Sequence, residues 1–496
     1  MEKFIYQPQL RPALLEVKGC KEYRQERALF IRIDEVLKYS GIEQEFIELS
    51  INEKGVDMDK MSQAQIDFFT RGCVMSLRGN VARIIKNLPH REFCVLLPDS
   101  TILRWFIGIE QLGGIKAYAK STSDRFAHWL GEESLQYLNQ KLIAALAQSD
   151  HENALNLNLE EALDFEQVYF DSTCLKADIH YPTDWVLLRD LTRTLMKGTL
   201  IIRREGLLQR MPQDPLEFLS DMNTLVMKMT ATSRVKGGKK KRKKIFRLKK
   251  KLARRVEKHA RNHLALLEQR GHETGLSEGR RNHLGKRLQE ILDQVDAAIT
   301  QAHERIIGER QVKNEDKILS LYDADVNCIA RGKSNASVEF GNKLWLGETQ
   351  QGLIVDYLLE RDQTSDTKHV LPAVERLTQE QALPVKAICG DRGLDSATNT
   401  KKLNEQGICN HICPKNVMEL KNRLDEEPQL GKSLKRRAGT EARVKIIIHD
   451  HMGDKPRAKG FEHRQMMVGW AVFTHNLWVV ARLPQKEPEP ELALPS

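Results

Sequence analysis

Two aspartates and a glutamate, far apart in the chain, are the residues best suited to chemistry. Asp391 closes the apolar run of KAICGDRGLD (residues 386–395) and is followed by Arg392 and Gly393. Asp and Gly are turn residues, so a strand leading into a turn accounts for this stretch. The chemical alternative is that open α/β folds place their functional groups at the carboxyl ends of sheet strands. Asp171, in FDST, follows the β-rich run QVYF, and an Asx-turn is again the plain reading. Glu441 comes directly after Gly439 and Thr440, where a Thr cap and a first-turn acid would be ordinary helix electrostatics. Three carboxylates gathered at one spot cannot all stay ionised unless cations neutralise them. Oxygen-only ligands favour hard divalent ions, Mg²⁺ or Mn²⁺. Two such ions about 4 Å apart would clamp both the attacking and the leaving oxygen of a phosphodiester displacement.

The elements needed to gather these residues are legible. Residues 1–160 are mostly helical in pattern: QERALFIRIDEVLKYSG and SLQYLNQKLIAALAQSD repeat apolar residues every three or four positions, with Leu135, Leu138, Leu142 and Leu146 on one face. LPDSTILRWFIGIEQLGG reads as a helix capped by Asp99 or Ser100 and stopped at Gly113–Gly114. A helix-turn-helix and plain helical packing suit this region equally. EQVYFDSTCLKADIHYPTD alternates and is rich in Val, Tyr, Phe and Thr, so it predicts a strand pair. Helical patterning returns over 185–312, with one stripe through Ile245, Leu248, Leu252 and Val256. A second runs through Leu284, Leu288, Ile291, Val295, Ile299, Ala302 and Ile306. The polar connector RGHETGLSEG between them predicts a helical hairpin. Strands are expected in KILSLYDADVNCIARG, VEFGNKLWLGE and GLIVDYLLE, then a helix near 367–380, the strand VKAICGD, a helix from Ser396 to Gln406 and the strand ICNHICP. A polar loop (422–436) precedes helices from about Thr440 and over Phe461–Ala481. The fold class is α/β with a mixed sheet in 161–484, interrupted by the helical insertion at 185–312, with a disordered Pro- and Glu-rich tail at 485–496.

The net charge of +10 is concentrated. Residues 234–255, RVKGGKKKRKKIFRLKKKLARR, hold fourteen Lys and Arg and no acid, which leaves 64 basic against 68 acidic residues elsewhere. A solvated helix face is the bland reading, but self-repulsion this dense points to a polyanion, nucleic acid above all. Lys239, Lys240, Lys241, Arg242, Lys243, Lys244 and Arg247 are the candidate phosphate contacts, on the outer face of the hairpin's first arm. No stretch approaches the ~18 apolar residues of a membrane helix, and MEKFIYQPQLRP lacks a signal-peptide core, so a cytoplasmic protein is expected. Eight scattered cysteines suit reduced thiols. In CNHIC a zinc site would lack a fourth ligand nearby.

FDST at 170–173, VEFGNKLWLGETQQGLIVDYLLERDQTSD at 338–366, GDRG at 390–393 and RAGTEARVKIIIHDHMGDKPRAKG at 437–460 together resemble the DDE transposases of bacterial insertion sequences. The resemblance covers roughly 165–480 and implies a ribonuclease H-like catalytic fold. It also implies the triad Asp171, Asp391 and Glu441, holding two Mg²⁺ or Mn²⁺ ions. The family's arginine four residues before the glutamate is matched by Arg437. Its lysine seven residues after is replaced by Ile448, and its upstream tyrosine by Leu434. Arg392, Arg437, Lys445, Arg457 and Lys459 are then candidates for contacting DNA. The implied activity is metal-dependent cleavage and strand transfer at the element's terminal inverted repeats, with a homodimer holding two ends on target DNA in the nucleoid. A nuclease of the same fold and a non-catalytic DNA-binding derivative are the alternatives. Glu462, Asp178 and Asp184 are secondary carboxylates that turns or surface positions explain better.

Overall fold

The computed structural model describes residues 5–7, 11–109, 114–148, 157–232, 235–314, 316–333, 336–453 and 458–486. The chain divides into two compact units, one of residues 1–176 with 342–496, the other of Ala177–Gly341.

The first unit begins with seven helices: α1 (Lys21–Tyr39), α2 (Ile42–Lys54), α3 (Gln63–Ile85), α4 (His90–Leu96), α5 (Thr101–Ile107), α6 (Lys120–Ala127) and α7 (Glu132–Ala147). The predicted leucine stripe of α7 is fully inward, and Ser100 caps α5 by accepting the Leu103 N–H. α5 stops at Gly108, whose positive φ of 77° ends the helix well before the expected Gly113–Gly114.

The strand pair expected around Asp171 is a single strand, β1 (Gln167–Lys176). The rest of that segment, with Pro182 lacking an N–H, leads instead into the second unit's first helix, α8 (Asp184–Arg204). In place of a two-helix hairpin the second unit holds five helices: α8, α9 (Pro215–Ala231), α10 (Gly238–Arg270), α11 (Glu278–Asp293) and α12 (Val295–Ile306). They share one apolar core. α10 enters it through Phe246, Lys249, Leu252, Ala253 and Val256. Leu248 is 52% exposed, so the buried face is rotated from the predicted stripe. The second predicted stripe is continuous but kinked, with α11 and α12 meeting at Gln294. The unit closes with β2 (Asn327–Lys333), antiparallel to the start of β3 (Ala336–Glu348).

Back in the first unit, β3 pairs antiparallel with β4 (Ile354–Leu359) across the predicted tight turn. After α13 (Val370–Glu375) and a π-helical turn at Arg376–Glu380 comes β5 (Ala387–Gly390). α14 (Ala397–Glu405) then leads to β6 (Cys409–Ile412). The strand order is β2-β3-β1-β5-β6, with β4 also paired to β3. β1–β5 and β5–β6 are parallel. The sheet is therefore mixed, as expected.

The polar loop expected at 422–436 is helical: α15 (Val417–Glu426) and α16 (Pro428–Arg437). Asn416 caps α15, Pro428 starts α16, and the Arg423–Glu427 pair at 2.9 Å supports the join. α17 (Thr440–Lys445) runs into a π-helical turn at Ile446–His451, and α18 (Phe461–Val480) is almost wholly buried.

One face of β1 sends Val168 and Phe170 into a core shared with α1–α5, α7 and α18. Phe170 stacks on Trp345 at 5.0 Å, and Gly347 makes room for it: a Cβ there would stand 2.7 Å from the Phe170 ring. A second apolar cluster joins Leu175, Leu344, Leu346 and Ile354 to Val444, Ile447 and α18. Trp105, Trp345 and Trp470 are core residues, as expected. The tail's first residues are not loose: Gln485 bridges Leu159, and the Lys486 N–H donates to the Asn158 carbonyl. Residues 487–496 lie outside the described residues. Among the described residues no helix is long and apolar enough to cross a membrane. None of the eight cysteines is in a disulfide.

Candidate active site

The site follows from the register of β1 on β5. Gln167 pairs with Ala387, Val168 with Ile388 and Tyr169 with Cys389. Two steps further along the same parallel register stand Asp171 and Asp391. The paired residues end at Tyr169–Cys389, so this level position is the register continued past the pairing, where Asp391 still has an extended backbone (φ −79°, ψ 175°). Neighbouring strands lie about 4.8 Å apart, and side chains alternate between faces. Asp171 therefore shares a face with Tyr169, opposite Val168 and Phe170. On that face α17 packs against β1, and α16 against β5 and β6.

Each aspartate also satisfies a local donor. Asp171 Oδ1 accepts the Ser172 N–H at 2.8 Å, and Asp391 Oδ1 accepts the Gly393 N–H at 2.8 Å. The turn reading of GDRG is thus realised as well, in the short helical turn Arg392–Leu394. Glu441 is exposed on the first turn of α17, while Thr440 beside it is buried. The charges of both Asp391 and Glu441 act on Asp171. Its carboxyl is pushed up to about 6, chiefly by burial, with the two carboxylates adding to the rise and the Ser172 N–H and Arg437 opposing it. Arg437, half-buried at the end of α16, is the cation that faces this group.

Residues that the sequence reading passed over hold the glutamate's helix. Glu348, fully buried at the end of β3, receives Arg436 at 3.0 Å and lies 3.7 Å from Arg443. Arg436 also donates to the carbonyls of Thr349 and Gln350, and its guanidinium lies 4.8 Å from the centre of the Tyr169 ring. The two arginines that flank Glu441 in sequence are thus tied to one buried carboxylate. Gly352, at φ +93°, lets Arg443 in: a Cβ there would meet its guanidinium. On the other face of β1, Ser172 Oγ donates to Asp366 Oδ2 at 2.8 Å, and Lys343 pairs with Asp366 at 2.6 Å. The signal for Glu348 is present in the sequence, as an acid closing the apolar run LWLG.

The remaining candidates are dispersed. Arg392 is exposed, with its Nε 3.5 Å from Cys413 Sγ. Lys445 is exposed one turn after Glu441, Lys459 is exposed before α18, and Arg457 lies outside the described residues. Ile448 is half-buried against the Leu175–Val472 cluster. Glu462 is exposed on the first turn of α18. Asp184 is buried in the second unit, accepting from Gln301 and Arg305. His411 of CNHIC is committed to Ser433 and Gln167. The lysine block opens α10; within it Lys239 and Lys243 pair with Glu309 at 3.2 and 2.8 Å.

Three carboxylate oxygen donors, one of them raised chiefly by burial and further by the charges of the other two, fit a hard divalent cation in kind. They are not already gathered as a ligand set: among the described residues no group of three or more His, Cys, Asp or Glu is arranged to hold a metal ion. Compared with known proteins, the chain matches no family model, no curated protein and no solved structure.

Proposed function

We propose that this chain is a DDE-class transposase of ribonuclease H-like fold that cuts and joins DNA at the ends of a mobile element. The observation that carries the reading is the β1–β5 register, which sets Asp171 level with Asp391, together with the influence of Glu441's charge on Asp171. The mixed sheet, antiparallel from β2 to β4 and parallel from β1 through β6, supports the fold assignment.

Asp171, Asp391 and Glu441 would hold Mg²⁺ or Mn²⁺. Two such ions supply polarisation of the phosphodiester and stabilisation of its attacking and leaving oxygens. The chain's own residues do the rest. Arg437 offsets negative charge beside Asp171 and is placed to meet a phosphate. Arg436 and Arg443, through Glu348, hold the helix that carries Glu441. The basic helix α10 binds phosphodiester backbone. Two element ends must be held together for joining, so the working assembly is a homodimer on DNA, in the nucleoid.

The test supplies the purified chain with DNA flanking its reading frame as donor and a target plasmid, with and without Mg²⁺. Joined product that disappears in Asp171→Asn supports the proposal, whereas cleavage without joining makes the protein a nuclease. The ungathered carboxylates are the observation that favours a non-catalytic DNA-binding derivative. In that case Asp171→Asn and Asp391→Asn behave like the parent in every assay.

A further inference from the structure

α10 presents two opposite faces. Phe246, Lys249, Leu252, Ala253, Val256 and Ala260 turn into the core of the second unit. At 100° per residue, Arg247, Lys250, Lys251, Arg254, Arg255 and Lys258 centre on the reverse side of the helix. These six basic residues alone line an open trough of about 460 Å³ on the helix surface.

We propose that this trough, from Arg247 to Lys258, is the principal backbone-binding surface for duplex DNA, and that the denser lysine run at its amino end is subsidiary. The inference rests on the polyanion partner of the proposed function and relocates its grip.

Among the described residues each stretch keeps four cations outside ion pairs and ring contacts, Lys240, Lys241, Arg242 and Lys244 in the amino-terminal run, but only those of the trough line one concavity. Lys239 and Lys243 in the amino-terminal run are already paired with Glu309. In the trough, Arg254 is tied to Glu257 and Asp296, and Arg255 lies over the Phe218 ring at 5.2 Å. Among the described residues Arg247, Lys250, Lys251 and Lys258 have no acidic partner within ion-pair distance, so their charges are open to a ligand. The spacing also suits a phosphate chain. Over the twelve residues from Arg247 to Lys258 the helix rises about 16 Å, and a B-DNA strand offers a phosphate every ~3.4 Å of axis, or about five along that length.

The chemistry of the face argues against other polyanions. A membrane-surface helix inserts an apolar face, but here that face is buried within the protein's own core. Single strands are held by stacking on aromatic side chains. The one aromatic residue of α10, Phe246, points inward. What remains is duplex backbone, contacted without sequence preference.

The experiment is fluorescence anisotropy of the full chain with a 30-base-pair duplex of arbitrary sequence, in EDTA, from 50 to 200 mM salt. One variant carries Arg247→Gln, Lys250→Gln, Lys251→Gln and Lys258→Gln. Its counterpart carries Lys239→Gln, Lys241→Gln, Lys243→Gln and Lys244→Gln. Each phosphate contact adds about 0.9 to the log–log salt slope, so the trough variant is expected to lose about 3.6 and its counterpart at most about half of that. Thermal melting of each variant at the parent's temperature establishes that the fold is kept. An equal loss in the two variants, a larger loss in the counterpart, or a parent that does not bind duplex overturns the assignment. Parent-like DNA joining with an unchanged slope in the trough variant also sinks it. The reverse result, slope lost as expected but no joined product from the parent, overturns the transposase reading and leaves the trough standing.

Discussion

Asp171 and Asp391 stand level on neighbouring parallel strands, two register steps beyond the Tyr169–Cys389 pair, although 220 residues separate them in sequence. β1 and β5 each carry an aspartate at or just past the carboxyl end of their pairing, and parallel pairing without a slip brings the two together. A one-residue shift would turn one of them to the other face. The Ala177–Gly341 unit is inserted between β1, which ends at Lys176, and the part of β3 from Asn342 onward.

The first consequence concerns stability rather than catalysis. Asp171 has its carboxyl raised from 3.8 to about 6, so the folded protein binds a proton that the unfolded chain releases between those values. Stability therefore falls as pH rises from about 4 to 6, and the full cost is present above 6. Asp171→Asn is expected to raise stability at pH 7.5 by at most about 3 kcal/mol, with no difference left at pH 3.5. Urea melts at the two pH values check this. Added Mg²⁺ should raise the parent's melting temperature and leave the variant's unchanged. A variant less stable than the parent at pH 7.5 would contradict the electrostatic account of the site.

Activity should follow the same group. Asp171→Asn, Asp391→Asn and Glu441→Gln are each expected to cut DNA joining by more than the ~10–100-fold typical of an outer-shell loss at a metal centre. Duplex affinity in EDTA should stay within a factor of two. Protons compete with the metal for Asp171, so the Mg²⁺ concentration needed for half-maximal joining should rise as pH falls through about 6. A Mg²⁺ requirement unchanged from pH 7.5 to 5 would remove Asp171 from the reaction.

Glu348 supplies a separate handle on the glutamate helix. It is buried between Arg436 and Arg443, and removing one partner of a buried pair costs about 3–5 kcal/mol. Because both arginines keep some exposure, Glu348→Gln is expected to cost roughly 2 kcal/mol in urea denaturation. It should also lower joining while sparing duplex binding. Equal loss of binding and joining would mean that the substitution merely unfolds the protein.

What the sequence revealed, and what it hid, follows the physics of each element. β1, β3, β4, β5 and β6 were legible because apolar, β-branched runs bounded by Gly, Asp and Pro leave little choice. The stretch 422–436, in which α15 ends and α16 forms, reads as loop because most of its residues are polar. Their helicity comes from Asn416, Pro428 and the Arg423–Glu427 pair, which weigh little in an apolar pattern. The face of α10 was mis-set for one reason, a buried lysine. Of the predicted stripe, Ile245, Leu252 and Val256 do pack in the core; with Lys249 counted as outward, the exposed Leu248 stood in for Phe246, Lys249 and Ala253, which turn inward. Within the site, Arg437 was expected, but the neighbouring Arg436 makes the contacts that hold the helix, and only the fold shows its acceptor.

Lys249 makes its own prediction. Its ammonium donates to the Trp185 carbonyl at 2.6 Å, and burial pushes it down to about 7. With the folded value below the unfolded 10.5, the cost of burying the charge is complete below about pH 7 and is relieved as pH rises toward 10.5. Lys249→Met, which keeps the length of the side chain and removes the charge, is expected to stabilise the protein at pH 6, with a gap that narrows steadily up to pH 10. Thermal melts across that range decide the matter, and a gap that widens with pH would reverse the sign argued here.

The histidines behind α17 set the acid limit. The His475 Nε2–H donates to the Gly352 carbonyl at 3.1 Å, which leaves Nδ1 to accept from His451 Nε2 at 3.3 Å. His451 Nδ1 is then a bare acceptor, and it is buried with no hydrogen-bond partner among the described residues. This chain of bonds requires both rings to be neutral. Burial lowers His451 to about 4 and His475 to about 3, well below the ordinary 6.5. The unfolded chain therefore takes up protons first, and stability is lost as pH falls from 6.5 toward 4. At pH 5 each histidine is expected to cost roughly 2 kcal/mol relative to pH 7.5. His475→Gln keeps a donor for Gly352 and should flatten this slope by about half, which urea midpoints at pH 5, 6 and 7.5 would resolve. Because His451 ends the π-helical turn that continues the Glu441 helix, joining activity should fail in acid at the pH where this pair charges in the unfolding equilibrium. A parent protein whose stability is flat from pH 7.5 to 5 would show that the two rings carry no such constraint.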